Sequence, residues 1–173
     1  IPTNVISITD GQIFLDVDAF ISGNRPAIDV GVSVSRVGGN AQVKTMKQIA
    51  GTLKIDQAQY RELEVFSKFG SDLDAVTAMI IDKGRKNERL LVQSVHAPIE
   101  VEKQIAILYC GTKGLLKDLA LEKVDAFKQE FLSRLESLHR ENVLNPIREG
   151  IFNDEIIAVI EQVAADVILS VSE

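Results

Sequence analysis

The chain has 173 residues, of which 46% are hydrophobic and only 5% aromatic, with no tryptophan. This supports a core the size of one medium domain, and that core must be mainly aliphatic. The formal net charge of −6 argues against non-specific nucleic-acid binding, which needs clustered lysine and arginine to displace counterions. The single cysteine, Cys110, excludes an internal disulfide, fits a reducing compartment and lies in an apolar run typical of a buried core.

The longest wholly apolar runs, such as Ile156 to Ile160, fall far short of the ~20 residues that cross a bilayer. No signal peptide is visible, and Ile1 in place of methionine predicts an internal or trimmed start. We therefore expect any membrane association to come through partner proteins.

The first 38 residues have the pattern of short β segments. Val5 to Ile8 and Gln12 to Leu15 flank the turn sequence Thr9-Asp10-Gly11, and alternating small and branched residues predict another strand over Gly31 to Val37. The pair Gly38-Gly39 ends that strand. Two or three strands cannot form an independent sheet domain, so we expect them to be the end of a larger sheet.

From about residue 41 the hydrophobic period changes to that of amphipathic helices. The first predicted apolar stripe consists of Leu53, Tyr60, Leu63, Phe66 and Phe69. Its helix ends at Gly70, and Ser71 or Asp72 opens the next one. A later predicted stripe consists of Leu121, Val124, Phe127, Phe131, Leu135 and Leu138. The exposed side of that later helix carries the i,i+4 pairs Glu130–Arg134 and Glu136–Arg140.

The helical pattern breaks at Asn145-Pro146, and Asn153 then caps a last helix. Asp154 and Glu155 lie in its first turn, where the helix dipole favours anions. Its apolar face consists of Ile156, Ile160, Val163 and Val167. The predicted fold is therefore mainly α, with a helical C-terminal part preceded by a short β segment.

Candidate catalytic motifs are few. Arg36 lies at the end of a predicted strand with no acid within several residues, and its planar guanidinium suits a phosphate outside its own domain. From spacing alone, a solvated strand-end arginine is the favoured interpretation. No GxxxxGK[ST] sequence occurs, so no loop of this chain wraps a triphosphate. His96 and His139 have no second ligand at helix-face spacing, and no metal site is predicted.

A family resemblance rests on four runs: IPTNVISITDGQIFL (1 to 15), SGNRPAIDVGVSVSRVGG (22 to 39), KQIAGTLKIDQAQYRELEVFSKFGSDLD (47 to 74) and PIEVEKQIAILYCGTKG (98 to 114). In this order and spacing they resemble the α subunit of the rotary, proton-translocating ATP synthase. The resemblance is strong to about residue 117 and continues only as a helical pattern. It implies that residues 1–38 end a RecA-like α/β nucleotide-binding domain and that residues 39–173 form the all-helical C-terminal domain.

The resemblance also implies a role for Arg36. This residue matches the family's arginine finger, which reaches across the subunit interface to the γ-phosphate held by the catalytic β subunit. The residues matched around it at the same interface are Ile6, Ser7, Ser33 and Ser35.

A second set of matched residues would bind the subunit's own, non-catalytic nucleotide. Phe20, Arg25 and Pro26 match positions that line the adenine pocket, and Gln93 matches a glutamine that contacts the base from the helical domain. The family usually has another glutamine two residues later, where this chain has Val95, whose side chain neither donates nor accepts a hydrogen bond. We therefore expect fewer polar contacts to the base, or contacts through backbone groups.

The implied function is that of a regulatory, non-catalytic subunit in proton-motive ATP synthesis and hydrolysis. Its cofactors would be ATP or ADP with Mg²⁺ in the complete assembly, and the chain alone would bind none tightly and be inactive. Its partners would be β and γ subunits in a ring of alternating α and β, with no nucleic acid and with membrane contact only through the assembly. The expected location is peripheral to an energy-transducing membrane, on the cytoplasmic side in bacteria or at the mitochondrial or plastid equivalent.

Two alternatives remain beside this function. One is a helical scaffold or adaptor module without a nucleotide role, and the other is the equivalent part of a related rotary ATPase of flagellar or vacuolar type. The runs SVSRVGG and QYRELEVF favour the synthase over both.

Overall fold

A computed structural model describes residues 2–67 and 74–172. Its elements, in chain order, are α1 (Pro2–Ile8), β1 (Gly11–Leu15), α2 (Val17–Ile21), β2 (Ile28–Ser35), α3 (Gly38–Ala41), α4 (Lys44–Ser67), α5 (Ala75–Leu91), α6 (Val101–Thr112), α7 (Val124–Leu138), α8 (Asn145–Arg148) and α9 (Asp154–Ser172). A 3₁₀ turn at Leu121–Lys123 precedes α7, and a π-helical turn at Arg140–Leu144 follows it. The fold is mainly helical with a small sheet, which confirms the predicted fold class.

The sheet consists of β1 and β2, which pair antiparallel with an irregularity between Gln12 and Phe14. The predicted strand over Val5 to Ile8 is wrong, because these residues belong to α1. Pro2 begins that helix, a position where a proline's missing N–H group is tolerated. A helix satisfies its backbone groups internally, whereas an added strand would depend on a sheet of only two strands.

The second strand is shifted from its predicted position. It spans Ile28–Ser35, so it starts three residues before the predicted Gly31 and ends before Arg36. The Gly38-Gly39 pair does more than end the strand, since it opens the short helix α3. The Oγ atom of Ser35 accepts a hydrogen bond from the Gly38 N–H at 2.7 Å, which starts this turn.

The core lies among helices α4 to α9. Phe127 and Phe131 of α7 are fully buried, and their rings stack with centroids 5.3 Å apart. The predicted α7 stripe is confirmed in its middle but not at its ends, because Leu121 lies in the 3₁₀ turn at 37% exposure and Leu138, at the end of α7, is 70% exposed. Cys110 is fully buried in this core, as predicted.

The predicted stripe of α4 is confirmed where it is described. Leu53 and Tyr60 are buried, and Leu63 is half-buried. Four predicted residues of this helix end and the next helix start lie outside the described part of the chain, as does the side chain of Phe66; the four are Phe69, Gly70, Ser71 and Asp72.

The predicted break at Asn145-Pro146 is misplaced. These residues begin α8, where a proline in the first turn removes no needed hydrogen bond. The α-helical pattern is interrupted earlier, in the π turn, where the His139 carbonyl accepts from the N–H groups of Val143 and Leu144 at 2.9 and 3.3 Å.

The predicted cap and ion pairs are confirmed. The Asn153 Oδ1 atom accepts from the Ile156 N–H at 3.0 Å at the start of α9. Both i,i+4 pairs form, Glu130 with Arg134 and Glu136 with Arg140. The predicted apolar face of α9 is buried, namely Ile156, Ile160, Val163 and Val167.

Three polar contacts join the sheet and the loop before β2 to the helices. They position the predicted site residues relative to the helical core. The Lys54 Nζ atom in α4 donates to the Ser33 carbonyl at 3.0 Å, and Arg61 in the same helix pairs with Asp29. The Gln93 backbone N–H, just beyond α5, donates to the Arg25 carbonyl at 2.8 Å. Within residues 2–67 and 74–172, no helix combines the length and apolar character needed to span a membrane.

Candidate functional site

Arg36 lies directly after β2 and is exposed. Its backbone N–H donates to the Asp10 carbonyl at 2.7 Å, and its guanidinium donates to the carbonyl of Thr9. Gly11, which pairs with Ser35 across the sheet, has a φ of 152°. A Cβ atom at Gly11 would collide with the Val34 carbonyl oxygen, so only glycine lets these two chain segments approach. The close pairing fixes the base of the Arg36 side chain while the guanidinium lies at the surface.

The two serines beside Arg36 bind backbone groups. The Ser33 Oγ atom accepts from the Phe14 N–H at 3.0 Å and donates to the Asp29 carbonyl, which bridges the irregular part of the sheet. Ser35 holds the turn into α3 through Gly38. Both hydroxyls therefore maintain the strand end that carries Arg36.

The backbones of Ile6 and Ser7 lie in α1, and their side chains are outside the described part of the structure. α1 leads directly to Thr9, whose N–H donates to the Val5 carbonyl at 3.1 Å. Since Thr9 also accepts the Arg36 guanidinium, the backbone places α1 next to the strand end.

A cleft of about 250 Å³ lies where the α2–β2 connection meets the end of α5. Its walls include Arg25, Pro26 and Gln93, three of the four residues matched to the adenine pocket. The fourth, Phe20, lies beside the cleft, with the Arg25 guanidinium carbon 4.4 Å above its ring centroid. The fold thus brings together residues that are widely separated in sequence.

The polar groups of Gln93 are engaged within this region. Its N–H donates to the Arg25 carbonyl, and its side-chain Nε2 donates to the Ala97 carbonyl at 2.9 Å. Val95 is 80% exposed and is not part of the cleft wall. The loop after α5 therefore has no side-chain amide at position 95 that could assist Gln93.

Sequence reasoning missed four polar residues of the cleft wall: Asn24, Gln57, Arg61 and Glu88. Gln57 and Arg61 are four residues apart and therefore share one face of α4, which was the available signal. Burial raises the pKa of the Glu88 carboxyl, and Glu64 raises it further, while Arg61 and Arg85 oppose the shift. A carboxyl that resists ionisation inside a cleft is a common feature of ligand sites.

The cleft is small for a ligand site. Its volume lies below the roughly 300–1,000 Å³ typical of pockets for drug-sized ligands, so a single heterocycle suits it better than a base, ribose and triphosphate together. Within the described ranges, no group of three or more His, Cys, Asp or Glu side chains is arranged to hold a metal ion.

Comparison with known families defines the class. Residues 42–167 match the family model described as ATP synthase alpha/beta chain, C terminal domain. Residues 1–35 match the model described as ATP synthase alpha/beta family, nucleotide-binding domain. The chain therefore belongs to the ATP synthase alpha/beta family.

Within the family, the chain is similar to alpha subunits. It is 62% identical over 166 residues to the ATP synthase subunit alpha of Parabacteroides distasonis, and 63% identical over 166 residues to that of Phocaeicola vulgatus. The subunit from Flavobacterium johnsoniae is 58% identical over 167 residues. Each match covers 96% of this chain but only 32%, 31% and 32% of the respective relative. The chain thus spans about a third of the length of these curated relatives.

Proposed function

We propose that this chain acts as part of a non-catalytic α subunit in a proton-translocating ATP synthase. In this proposal, α alternates with catalytic β subunits in a ring around the γ subunit, and the assembly makes or hydrolyses Mg²⁺-bound ATP. Family membership supports a nucleotide-related role over a helical adaptor. The assembly would be peripheral to an energy-transducing membrane.

The proposed domain division places residues 1–38 in the nucleotide-binding domain and residues 39–173 in the helical domain. The change from strands to long helices supports this division, as does the position of the two family matches. The bonds from Lys54 to Ser33 and from Gln93 to Arg25 would then be contacts between domains. They would keep the base cleft assembled while the larger subunit moves.

The observation that carries the catalytic part of the proposal is the exposed arginine on a fixed backbone. Arg36 follows a strand whose end is held by backbone bonds to Asp10 and by the hydroxyl of Ser35. Phosphoryl transfer spreads negative charge over the transferred group, and an arginine supplied by a neighbouring subunit stabilises that charge. In the ring, the Arg36 side chain would exchange its Thr9 contact for the γ-phosphate of a nucleotide bound by β.

The neighbours of Arg36 would position it. Ser33 and Ser35 would hold the strand end through their backbone bonds, so a bulky residue at either position would shift the arginine. Ile6 and Ser7, in the adjacent helix α1, would contribute to the same subunit interface.

The cleft beside Phe20 would receive the adenine of a non-catalytic nucleotide. Arg25 and Pro26 would form one wall, and Gln93 would contact the base from the helical side. The stacked pair of Arg25 and Phe20 offers a flat, polarisable surface suited to a heterocycle. Since Val95 lies outside the wall, the polar contacts to the base would come from Gln93, from backbone groups and from the other polar side chains of the wall.

The proposal is tested in a complete α subunit reconstituted with β and γ. Arg36→Lys keeps the charge but loses the planar fork, so multisite ATP turnover should fall by roughly 10³ or more. Ground-state nucleotide affinity should change much less, because the contact forms mainly as charge is redistributed. Turnover and nucleotide binding are measured on the same preparations.

Arg25→Lys is the matched control, since it makes the same substitution at the base cleft. It should lower nucleotide occupancy of the non-catalytic sites and leave the chemical step nearly intact. Near-normal turnover of a correctly assembled Arg36→Lys ring would mean that Arg36 is structural.

A further inference from the structure

A second cavity, of about 780 Å³, lies between α5 and the segment that runs from the end of α6 to Asp118. It shares no wall residue with the base cleft. Its volume falls in the range of about 300–1,000 Å³ that small-molecule sites occupy. Most of its wall is apolar, including Val76, Met79 and Leu116.

Within this wall lies a buried amide whose hydrogen-bonding capacity is unused. Asn87 is 1% exposed, and neither its Nδ2 nor its Oδ1 atom has a hydrogen-bond partner in the described part of the chain. The buried amide of Gln57, by contrast, donates to the Gly84 carbonyl at 3.2 Å. Buried polar side chains are normally paired, and the residues at 2–67 and 74–172 supply no partner for the Asn87 amide.

On the α6 side of the cavity, the backbone at Gly111 lies too close to Asn87 to leave room for a side chain. A Cβ atom at Gly111 would collide with the Oδ1 atom of Asn87, so the glycine lets the amide lie against the helix backbone. The amide plane turns about the Cβ–Cγ bond, a soft torsion for asparagine. Rotation about this bond would let the Asn87 amide, which lines the cavity, face a ligand there.

The buried cation of the wall is paired within the protein. The nearly buried Lys86 ammonium donates to Asp82 at 2.6 Å and to the Lys117 carbonyl at 2.9 Å. Lys83 pairs with Asp56 at 2.7 Å, and the Lys113 ammonium lies 5.9 Å from the Tyr109 ring centroid. Lys113 and Lys117 are exposed, and the buried Lys86 ammonium already has a carboxylate and a carbonyl partner, so the buried part of the cavity does not call for an anion.

We propose that this cavity binds an uncharged, planar small molecule with a cis-amide edge, that is, an N–H donor beside a C=O acceptor as in a lactam or pyridone. The edge pairs with the Asn87 amide through two hydrogen bonds, N–H to Oδ1 and Nδ2 to C=O. The apolar body of the molecule contacts Val76, Met79 and Leu116.

The probes are 2-pyridone, quinolin-2(1H)-one and isoquinolin-1(2H)-one, each beside its N-methyl derivative. The full 173-residue chain is titrated with each probe and followed by ¹H–¹⁵N NMR. At least one bicyclic probe should saturate shifts at Asn87, Gly111 and Leu116. Its N-methyl derivative, which lacks the donor, should bind about tenfold more weakly or worse, as expected for one lost hydrogen bond at a buried site.

Two variants test whether the Asn87 amide binds the probe or only contributes to the folded structure. Asn87→Leu keeps the size of the side chain but removes the amide, so probe binding should weaken about tenfold or more while Tm rises by about 2 °C or more. Asn142→Leu removes an exposed amide and should leave probe binding unchanged. Equal affinity for a probe and its N-methyl derivative, wild-type binding by Asn87→Leu, or shifts from none of the probes would overturn the proposal. So would a crystal structure soaked with the probes that shows only an ordered water at Asn87.

Discussion

Gly84 is a residue where close packing overrides local helix preference. It lies in the middle of α5, and the ring of Tyr60 from α4 packs directly against its backbone. A Cβ atom at this position would overlap the Tyr60 side chain. Tyr60 is 2% exposed and its hydroxyl donates to Glu64 at 2.9 Å, so the ring has little freedom to move away.

We predict that Gly84→Ala destabilises the chain by about 1 kcal/mol or more. Alanine would add up to ~1 kcal/mol of helix propensity, but overpacking of a filled core costs typically ~1–3 kcal/mol. Gly51→Ala is the matched control, because Gly51 lies inside α4 with open space around it and should gain stability by ~0.5–1 kcal/mol. Urea unfolding of both variants measures the difference. If Gly84→Ala and Gly51→Ala gained equal stability, the Tyr60 ring would have to move aside for the added methyl group.

Glu88 gives a prediction about pH. Burial raises the pKa of its carboxyl above the ordinary glutamate value. Between those two values, the folded chain binds more protons at this site than the unfolded chain, so the contribution of Glu88 to stability is lost as pH rises through the folded pKa. Glu88→Gln removes this titration, and the stability of the variant relative to wild type should therefore increase from pH 4 to pH 7.

The measurement is urea unfolding of wild type and Glu88→Gln at several pH values in that range. The groups that face Glu88 are Tyr60, Arg61, Glu64 and Arg85, and they remain in both proteins. A stability difference that stays constant across the range would mean that the Glu88 carboxyl ionises alike in the folded and unfolded chains.

Residue roles set by local sequence were predictable, and those set by long-range contacts were not. The apolar run around Cys110 indicated burial, and the spacing of Asn153 indicated a cap, since both depend on near neighbours. The ion pair of Arg61 with Asp29 joins residues 32 positions apart, and nothing in the local pattern indicates it. Arg25 and Gln93 likewise come together through packing between distant parts of the chain. From the sequence, only the family resemblance placed these two residues in one site.

At the scale of elements, helices were predicted better than strands. A helix forms its hydrogen bonds within one segment, so the stripe of Val124, Phe127 and Phe131 was sufficient to place α7. A strand depends on a partner elsewhere in the chain, and the apolar sequence of Val5 to Ile8 became helical. The π turn before α8 was not predicted from the sequence. Its extra residue changes the helical register, but no particular residue type marks such a turn.

We predict that hydrogen exchange is much slower in α7 than in residues 2–38. Val124, Phe127 and Leu135 are fully buried, whereas apolar side chains of the sheet such as Ile13 and Leu15 are 72% and 71% exposed. Regions with few buried contacts open at low free energy, so protection should differ by about 100-fold or more. Exchange followed by mass spectrometry at peptide resolution measures this. Uniformly slow exchange would indicate that the sheet has gained a partner surface, for example by pairing along its edges in a dimer.

The exposed apolar side chains cluster at the beginning of the chain. Ile8, Val17 and Ile21 are 80%, 70% and 77% exposed, while the helices from α4 onward enclose the main core. Apolar side chains exposed together in this way are typical of a contact region. This supports the proposal that residues 1–38 belong to a larger nucleotide-binding domain.

The last prediction follows for the isolated chain. The proposed base site is a cleft of about 250 Å³, and the sequence has no GxxxxGK[ST] loop to bind phosphates. Adenosine and ATP should therefore bind with similar, weak affinities, within about threefold of each other, which corresponds to a difference of only about 0.7 kcal/mol. The chain should also hydrolyse no ATP. NMR titration with both ligands measures the affinities, and Arg25→Ala should weaken both alike because it removes the cation that stacks on Phe20. Two results would contradict this prediction: ATP binding that is ten times tighter than adenosine binding, or turnover that persists after contaminating ATPases are removed. Either would reveal a phosphate-binding site formed by this chain alone.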